Sequence, residues 1–196
     1  MGEKGERTKK MIREQAAALF AQKGFSMVTM KDICEATGLS RGGLYRHYEN
    51  TAGIFEEIFL EMATENENLI DRRIKEQIPA MEILKEEMKF LKEEMLNSEQ
   101  SLSYPIYEYA NTVSRDLFEK LNEQGYQKWE RLMAYGVSRG EFRKENTAAV
   151  ITMILYAYQG IRMWSRVINI PEQAAEDYEN CIIQLLQNGC RTAGTK

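Results

Sequence analysis

Helical periodicity with almost nothing to interrupt it is what most limits the folds open to this chain. Only three prolines occur in 196 residues, Pro79, Pro105 and Pro171. Apolar residues recur at spacings of three and four, while alternating β-branched runs are scarce. The sequence predicts an all-α protein. A hydrophobic fraction of 43% suffices for a buried core, and the length suits one large domain or two small ones. No basic start leads into an apolar signal segment, and the longest uncharged stretch, residues 146–161, still holds Asn, Thr, Gln and Gly. The reading is a cytoplasmic protein with no membrane partner.

Charge is unevenly spread. The net charge is -4, yet residues 1–50 hold nine Lys or Arg against six Asp or Glu, which leaves the rest at -7. A small basic end on an acidic body suggests a local polyanion-binding surface. Cys34, Cys181 and Cys190 lack the close spacing of a metal site or disulfide framework, so they are expected to be reduced, small apolar residues. One histidine in the whole chain argues against a metal centre, and nothing implies a cofactor.

The first helix is expected from Thr8 to Lys23, with Ile12, Ala16, Leu19 and Phe20 on its inner stripe and Gly24 as its stop. Residues 1–7 read as a free tail, with Lys4 and Arg7 within possible reach of a minor groove. Thr29 and Asp32 have the spacing of a capping box opening a short second helix, whose Ile33 and Ala36 point inward. Gly38 supplies a left-handed turn, and Ser40 caps a third helix running to His47. A long fourth helix follows Asn50, with Ile54, Phe55, Ile58, Phe59 and Met62 on its apolar side. Later helices are expected at 80–97, 103–112, 115–138, 146–168 and 172–190.

Two helices joined by a short glycine-containing turn form a helix-turn-helix, whose last member can enter a DNA major groove. The candidate recognition helix reads SRGGLYRHY, Ser40 to Tyr48. Leu44 and Tyr48 lie four apart and face inward, which leaves Arg41, Gly42, Gly43, Tyr45 and Arg46 outside. Helical glycine costs about 1 kcal/mol relative to alanine, a cost that makes sense where backbone approaches another surface closely. Arg41 and Arg46 can reach phosphates or a guanine edge, the Tyr45 hydroxyl a phosphate, and the amides near Ser40 an anion. His47 reads equally as a phosphate contact or as a surface imidazole bonded to local backbone.

The segment from Met11 to Phe59, with ALFAQKGF, TMKDICEATGLS and the pattern G-L-Y-x-H-Y in uninterrupted order, resembles the N-terminal domain of the TetR family of bacterial transcriptional regulators. The later SRGEFRKENTAAVITMILYAYQGI is similar to the junction before that family's dimerisation helices. The resemblance implies that Thr29, Arg41, Gly42, Gly43, Tyr45 and His47 face DNA, while Leu44 and Tyr48 secure the helix. Two positions depart from the pattern. Gly43 stands where a small hydroxyl residue is common, and Thr51 where a lysine is common, removing a phosphate partner. On this basis residues 1–50 are expected to be the DNA-binding domain, and residues 51–196 a larger helical effector-binding and dimerisation domain.

Seven of the chain's eleven methionines and many aromatic residues populate the larger part. Most belong to the core, but the adaptable Met side chains favour a cavity for a small apolar or amphipathic effector, as the resemblance implies. Tyr104, Tyr107, Glu108, Phe118, Trp129 and Tyr156 are the candidate lining, with Glu108 either an acid facing a cationic ligand or a plain exposed carboxylate. Residues 148–168 are apolar on more than one face, and Ala174, Tyr178, Cys181, Ile182, Leu185 and Leu186 form a second stripe. Tyr158, Ile161, Trp164, Tyr178, Ile182, Leu185 and Leu186 are therefore the candidate homodimer interface of a four-helix arrangement, the alternative being closure of a monomer core.

These features predict a ligand-responsive transcriptional regulator, usually a repressor, that binds a palindromic double-stranded DNA operator as a homodimer. No metal-ligand spacing, phosphate loop or nucleophile signature supports an enzyme. The rival readings are an all-α carrier or enzyme with a structural N-terminal unit, and an architectural DNA binder without an effector.

Overall fold

Capping and glycine signals set the helix boundaries at the N-terminal end of the computed structural model, which describes residues 2–97 and 101–188. Helix α1 spans Glu3–Lys23 and stops at Gly24, whose φ of 86° is in the region that favours glycine. The helix starts earlier than expected, so Lys4 and Arg7 lie on its first turns and not on a free tail. Helix α2, Met30–Thr37, opens on the capping box formed by Thr29 and Asp32 and ends at Gly38, left-handed at φ 68°. Ile33 is fully buried, but Ala36 faces solvent, against expectation, because so short a helix has only a narrow inner stripe. Helix α3, Arg41–Tyr45, covers one turn only. Arg46 and His47 form the turn that follows instead of extending the helix.

Helix α4 runs over Thr51–Lys75, and the Asn50 side chain accepts from the Gly53 amide at 3.0 Å at its start. The remaining helices are α5 (Ala80–Leu96), α6 (Ser103–Thr112), α7 (Asp116–Ser138), α8 (Thr147–Thr152), α9 (Tyr158–Trp164) and α10 (Glu172–Asn188). The stretch expected as one helix over 146–168 is in fact α8 and α9 joined by a π-helical turn, Met153–Ala157. The expected end of the last helix at residue 190, and Cys190 itself, lie outside the described residues. No strand occurs among the described residues, so the all-α expectation holds.

The chain divides into two compact units, residues 1–65 with 99–119, and residues 66–98 with 120–196. The boundary expected after residue 50 does not coincide with this division, because α6 and the first half of α4 supply the core on which α1 to α3 rest. In the first unit Phe20, Phe25, Phe55 and Tyr109 meet with ring centroids 5.0–5.8 Å apart, and Phe59 stacks on Phe118 at 5.0 Å. Each aromatic pair adds about 0.5–1.5 kcal/mol to the burial itself.

In the second unit α5 turns Ile83, Leu84, Met88, Leu91 and Met95 inward against Trp129, Leu132 and Met133 of α7, Ile151 of α8 and Ile154 of the π turn. Helix α10 adds Ala175, Tyr178, Ile182 and Leu186, at spacings of three, four and four. Ala174 and Cys181, expected on that inner stripe, are exposed. Tyr158, Tyr178, Ile182 and Leu186, expected at a dimer interface, are spent on the core of the single chain. Trp164 is 60% exposed and stays available, while Ile161 and Leu185 are half-buried. Two ion pairs are enclosed here: Lys128 Nζ donates to Glu87 at 2.7 Å, and Arg162 donates to Glu94 at 2.5 Å while lying over the Tyr158 ring.

Gly136 of α7 shows how tightly this unit is filled. A Cβ built there would lie 2.1 Å from Cδ2 of the buried Phe142 ring. Gly136→Ala is therefore expected to cost about 1–3 kcal/mol and to lower the Tm by roughly 2–10 °C, checked by thermal unfolding followed by circular dichroism.

Candidate nucleic-acid interface

The face that α3 presents is set by two buried anchors. Leu44 is fully buried and Tyr48 is 6% exposed, whereas Ser40, Arg41, Gly42, Tyr45 and Arg46 face solvent and Gly43 and His47 are half-buried. The Ser40 hydroxyl accepts from the Gly43 amide at 3.1 Å. That amide, expected to be open to an anion, is thus committed to the cap. Arg41 lies 5.7 Å from the centroid of the Tyr45 ring, so cation and phenol occupy one patch. A Cβ at Gly42 would meet nothing within 4 Å, so the protein itself does not require glycine there.

Thr29 stands exposed at the head of α2. Its hydroxyl donates to Asp32, its amide donates to Asp32 Oδ2 at 2.9 Å, and its oxygen accepts from the Asp32 amide at 3.2 Å. Lys23, at the end of α1, pairs with Asp32 Oδ1 at 2.6 Å. Lys23 and the two Thr29 hydrogen bonds hold the Asp32 carboxyl well below the usual carboxylate range.

Behind α3 lies a polar cluster that sequence reasoning missed. Arg13 of α1 is 8% exposed. Its Nε donates to Glu61 Oε2 at 2.8 Å, and its terminal nitrogens reach Glu61 Oε1 at 2.6 Å, Glu57 Oε1 at 3.0 Å and the Tyr48 hydroxyl at 3.3 Å. Lys9 donates to Glu57 at 3.1 and 3.2 Å and lies 4.9 Å from the Tyr48 ring centroid. Burial opposes ionisation of Glu57, but Tyr48, Lys9 and Arg13 together outweigh it and keep the carboxyl below its ordinary value. Burial, reinforced by Glu57, pushes the Tyr48 phenol upward, so it stays protonated. The available signal was Lys9 and Arg13 four apart on α1, matched by Glu57 and Glu61 four apart on α4.

The comparisons with known proteins bear on this face directly. Residues 12–58 match the model of bacterial regulatory proteins of the tetR family. The chain is 28% identical over 145 residues to the HTH-type transcriptional regulator YfiR of Bacillus subtilis (strain 168), covering 71% of this chain and 70% of that protein. It is 37% identical over 57 residues to the HTH-type transcriptional repressor KstR2 of Rhodococcus jostii (strain RHA1), which is 29% of this chain and 27% of that one. A TetR transcriptional regulator from Chloroflexus aurantiacus J-10-FL superposes with a TM-score of 0.74 at 21% identity, covering 94% of this chain and 96% of that chain.

Residues 12–58 thus carry the N-terminal region of the TetR family.

The proteins that this chain resembles are named as regulators of transcription. The six residues expected to line an effector cavity do not share one compact unit. Tyr104, Tyr107, Glu108 and Phe118 belong to the first, Trp129 and Tyr156 to the second. Glu108 Oε2 accepts from the Phe25 amide at 2.6 Å. Phe118 stacks on Phe59, Trp129 is core, and Tyr107 and Tyr156 are 57% and 62% exposed. No helix among the described residues is long and apolar enough to cross a membrane.

The Asp32 cluster yields a pH prediction. A carboxyl depressed in the folded state stabilises fully above its unfolded pKa, about 3.9, and loses that contribution as pH falls through the folded value. The stability advantage of the native protein over Asp32→Asn should therefore be constant above about pH 5 and shrink steadily below about pH 4. Thermal unfolding of both proteins across that range checks it; a gap unchanged down to the acid limit would exclude the carboxylate charge as its source.

Proposed function

We propose that this chain is a ligand-responsive repressor that binds a palindromic operator as a homodimer, with Arg41, Gly42, Gly43, Tyr45, Arg46, His47, Ser40 and Thr29 against the DNA. The observation that carries this reading is the α3 surface. Its cation and hydroxyl donors face solvent together, while Leu44 and Tyr48 hold the helix from behind. Two such helices would enter successive major grooves about 34–36 Å apart. Arg41, Arg46 and the Tyr45 hydroxyl supply phosphate and base-edge donors, and Gly42 lets backbone approach the duplex without a methyl between them.

The homodimer reading rests on the apolar side chains that the chain leaves uncovered near its last helices. Tyr156 is 62% exposed, Trp164 60%, Val167 73% and Ile168 53%. Exposed Cys181 and Ala174 with half-buried Leu185 extend an apolar surface along α10. A second copy of the same surface would cover it. The effector is an apolar or amphipathic small molecule taken up by the methionine- and aromatic-rich helices after α4. Binding there would favour an arrangement of the two reading helices that no longer matches both half-sites.

Titrating the protein with its own upstream DNA over a salt series tests the reading. Arg41→Ala with Tyr45→Ala should abolish measurable binding while leaving the circular dichroism spectrum unchanged, and Arg41→Ala alone should reduce the salt slope by about one. Gly42→Ala should hold or raise stability by up to about 1 kcal/mol yet weaken DNA binding, a combination that no role in the fold would give. A monomer at micromolar concentration, or binding indifferent to salt, would overturn the reading. For the homodimer, Trp164→Glu should raise the dimer dissociation constant by about 30-fold, measured by sedimentation, as expected for a buried aromatic anchor.

A further inference from the structure

Helix α6 reaches the turn between α1 and α2 from a point 83 residues away in sequence. Glu108 Oε2 lies 2.6 Å from the Phe25 amide, the first donor after α1 has closed on Gly24 with the Gly24 amide bonded to Phe20. The neighbouring Tyr109 packs its ring against Phe25 at 5.1 Å. Phe25 is thus held twice by the same helix, on its backbone by a carboxylate and on its ring by a phenol. Gly24 is fitted to this arrangement beyond its φ of 86°, because a Cβ there would lie 2.6 Å from Glu108 Oε2. Three residues separate Phe25 from Thr29, the cap of α2, and no helix spans them. Where Phe25 is held therefore governs where α2 begins.

We propose that Glu108 is a positioning residue for the DNA-reading face: its carboxylate, delivered by α6, fixes the α1–α2 turn and through it the Thr29 end of α2. This rests on the reading of Arg41–His47 and Thr29 as the DNA surface. The side chain touches no DNA. It acts through Phe25, and a hydrogen bond to an ionised carboxylate is the stronger kind, so its loss frees the turn at a measurable level.

The test uses the full chain with Glu108→Ala, Glu108→Asp and Glu108→Gln. It measures affinity for the upstream DNA, hydrogen exchange at the Phe25 amide, and thermal unfolding. The Ala variant lacks the acceptor, and the Asp variant keeps the charge but is one methylene short. Both are expected to weaken DNA binding about tenfold and to exchange the Phe25 amide about tenfold faster. The Gln variant presents a carbonyl oxygen at the same reach and should stay within about threefold of the native protein. Simple removal of a negative charge near DNA would tighten binding in the Ala and Gln variants, the opposite sign for Ala.

Equal DNA affinity in all four proteins overturns the proposal, even if the Phe25 amide exchanges faster. Affinity lost only in step with thermal stability, with exchange raised throughout residues 1–65, shows a general structural role and overturns it as well. If the Ala variant does not fold, the Asp and Gln pair decides by the same criteria. Absence of salt-sensitive binding by the native protein is a separate failure, that of the DNA reading itself, and the proposal falls with it.

Discussion

A five-residue helix cannot hold its own shape in water, because nucleating a turn costs more than so few hydrogen bonds return. Helix α3 has only Arg41–Tyr45 and two glycines within it. Its conformation is imposed from behind by burial of Leu44 and Tyr48, and everything exposed on its outer side depends on that anchoring. Leu44 relies on ordinary apolar burial. Tyr48 does not, since its hydroxyl sits in the Arg13 cluster and its ring lies under Lys9. The end of α3 is therefore fixed by charge geometry between α1 and α4. A buried arginine that lost its carboxylates would leave an uncompensated charge costing about 3–5 kcal/mol, so Glu57 and Glu61 cannot drift from Arg13 cheaply. The start of α4 and the end of α3 consequently keep one fixed relation to α1.

A second support comes from chain that is remote in sequence. Tyr109 of α6 closes the ring cluster of Phe20, Phe25 and Phe55. Without it those rings would lose partners on one side, and burial of each is worth about 1.5–3 kcal/mol. The residues that read as a self-contained N-terminal domain thus share their core with helices that begin beyond residue 50. A small three-helix unit has too little interior to bury four aromatic rings unaided.

Helix existence and type were legible in the sequence wherever one face alternated with period 3.6. The helices at 80–96, 103–112 and 116–138 fall within a residue of the expected limits, and the Thr29–Asp32 capping box is present. What could not be read were facts about partners in space. Periodicity shows that α10 has an apolar stripe but does not say whether that stripe faces its own chain or another. Tyr178, Ile182 and Leu186 went to the chain's own core. Glu108 beside three tyrosines read as a candidate for a cationic ligand, because its acceptor role depends on Phe25, a residue no local window contains. The π turn at Met153–Ala157 likewise escapes notice, since its sequence is equally compatible with α-helix and one extra residue per turn leaves no compositional mark.

The two enclosed ion pairs of the second unit raise a separate question about what polar groups do in a core. Replacing such a pair by apolar residues of similar volume is often neutral or stabilising, so stability alone does not account for them. Glu87 and Glu94 lie seven residues apart, two turns along one face of α5, and meet Lys128 of α7 and Arg162 of α9. Leucines and methionines in the same places would tolerate a slide of α5 by one turn, because one apolar contact substitutes for another. The carboxylates do not. A slide of one turn, about 5.4 Å, would part both pairs at once and leave four charges without their partners beside the apolar core of the unit. These pairs thus fix the axial register of α5 against α7 and α9, a constraint that the apolar side chains around them do not supply.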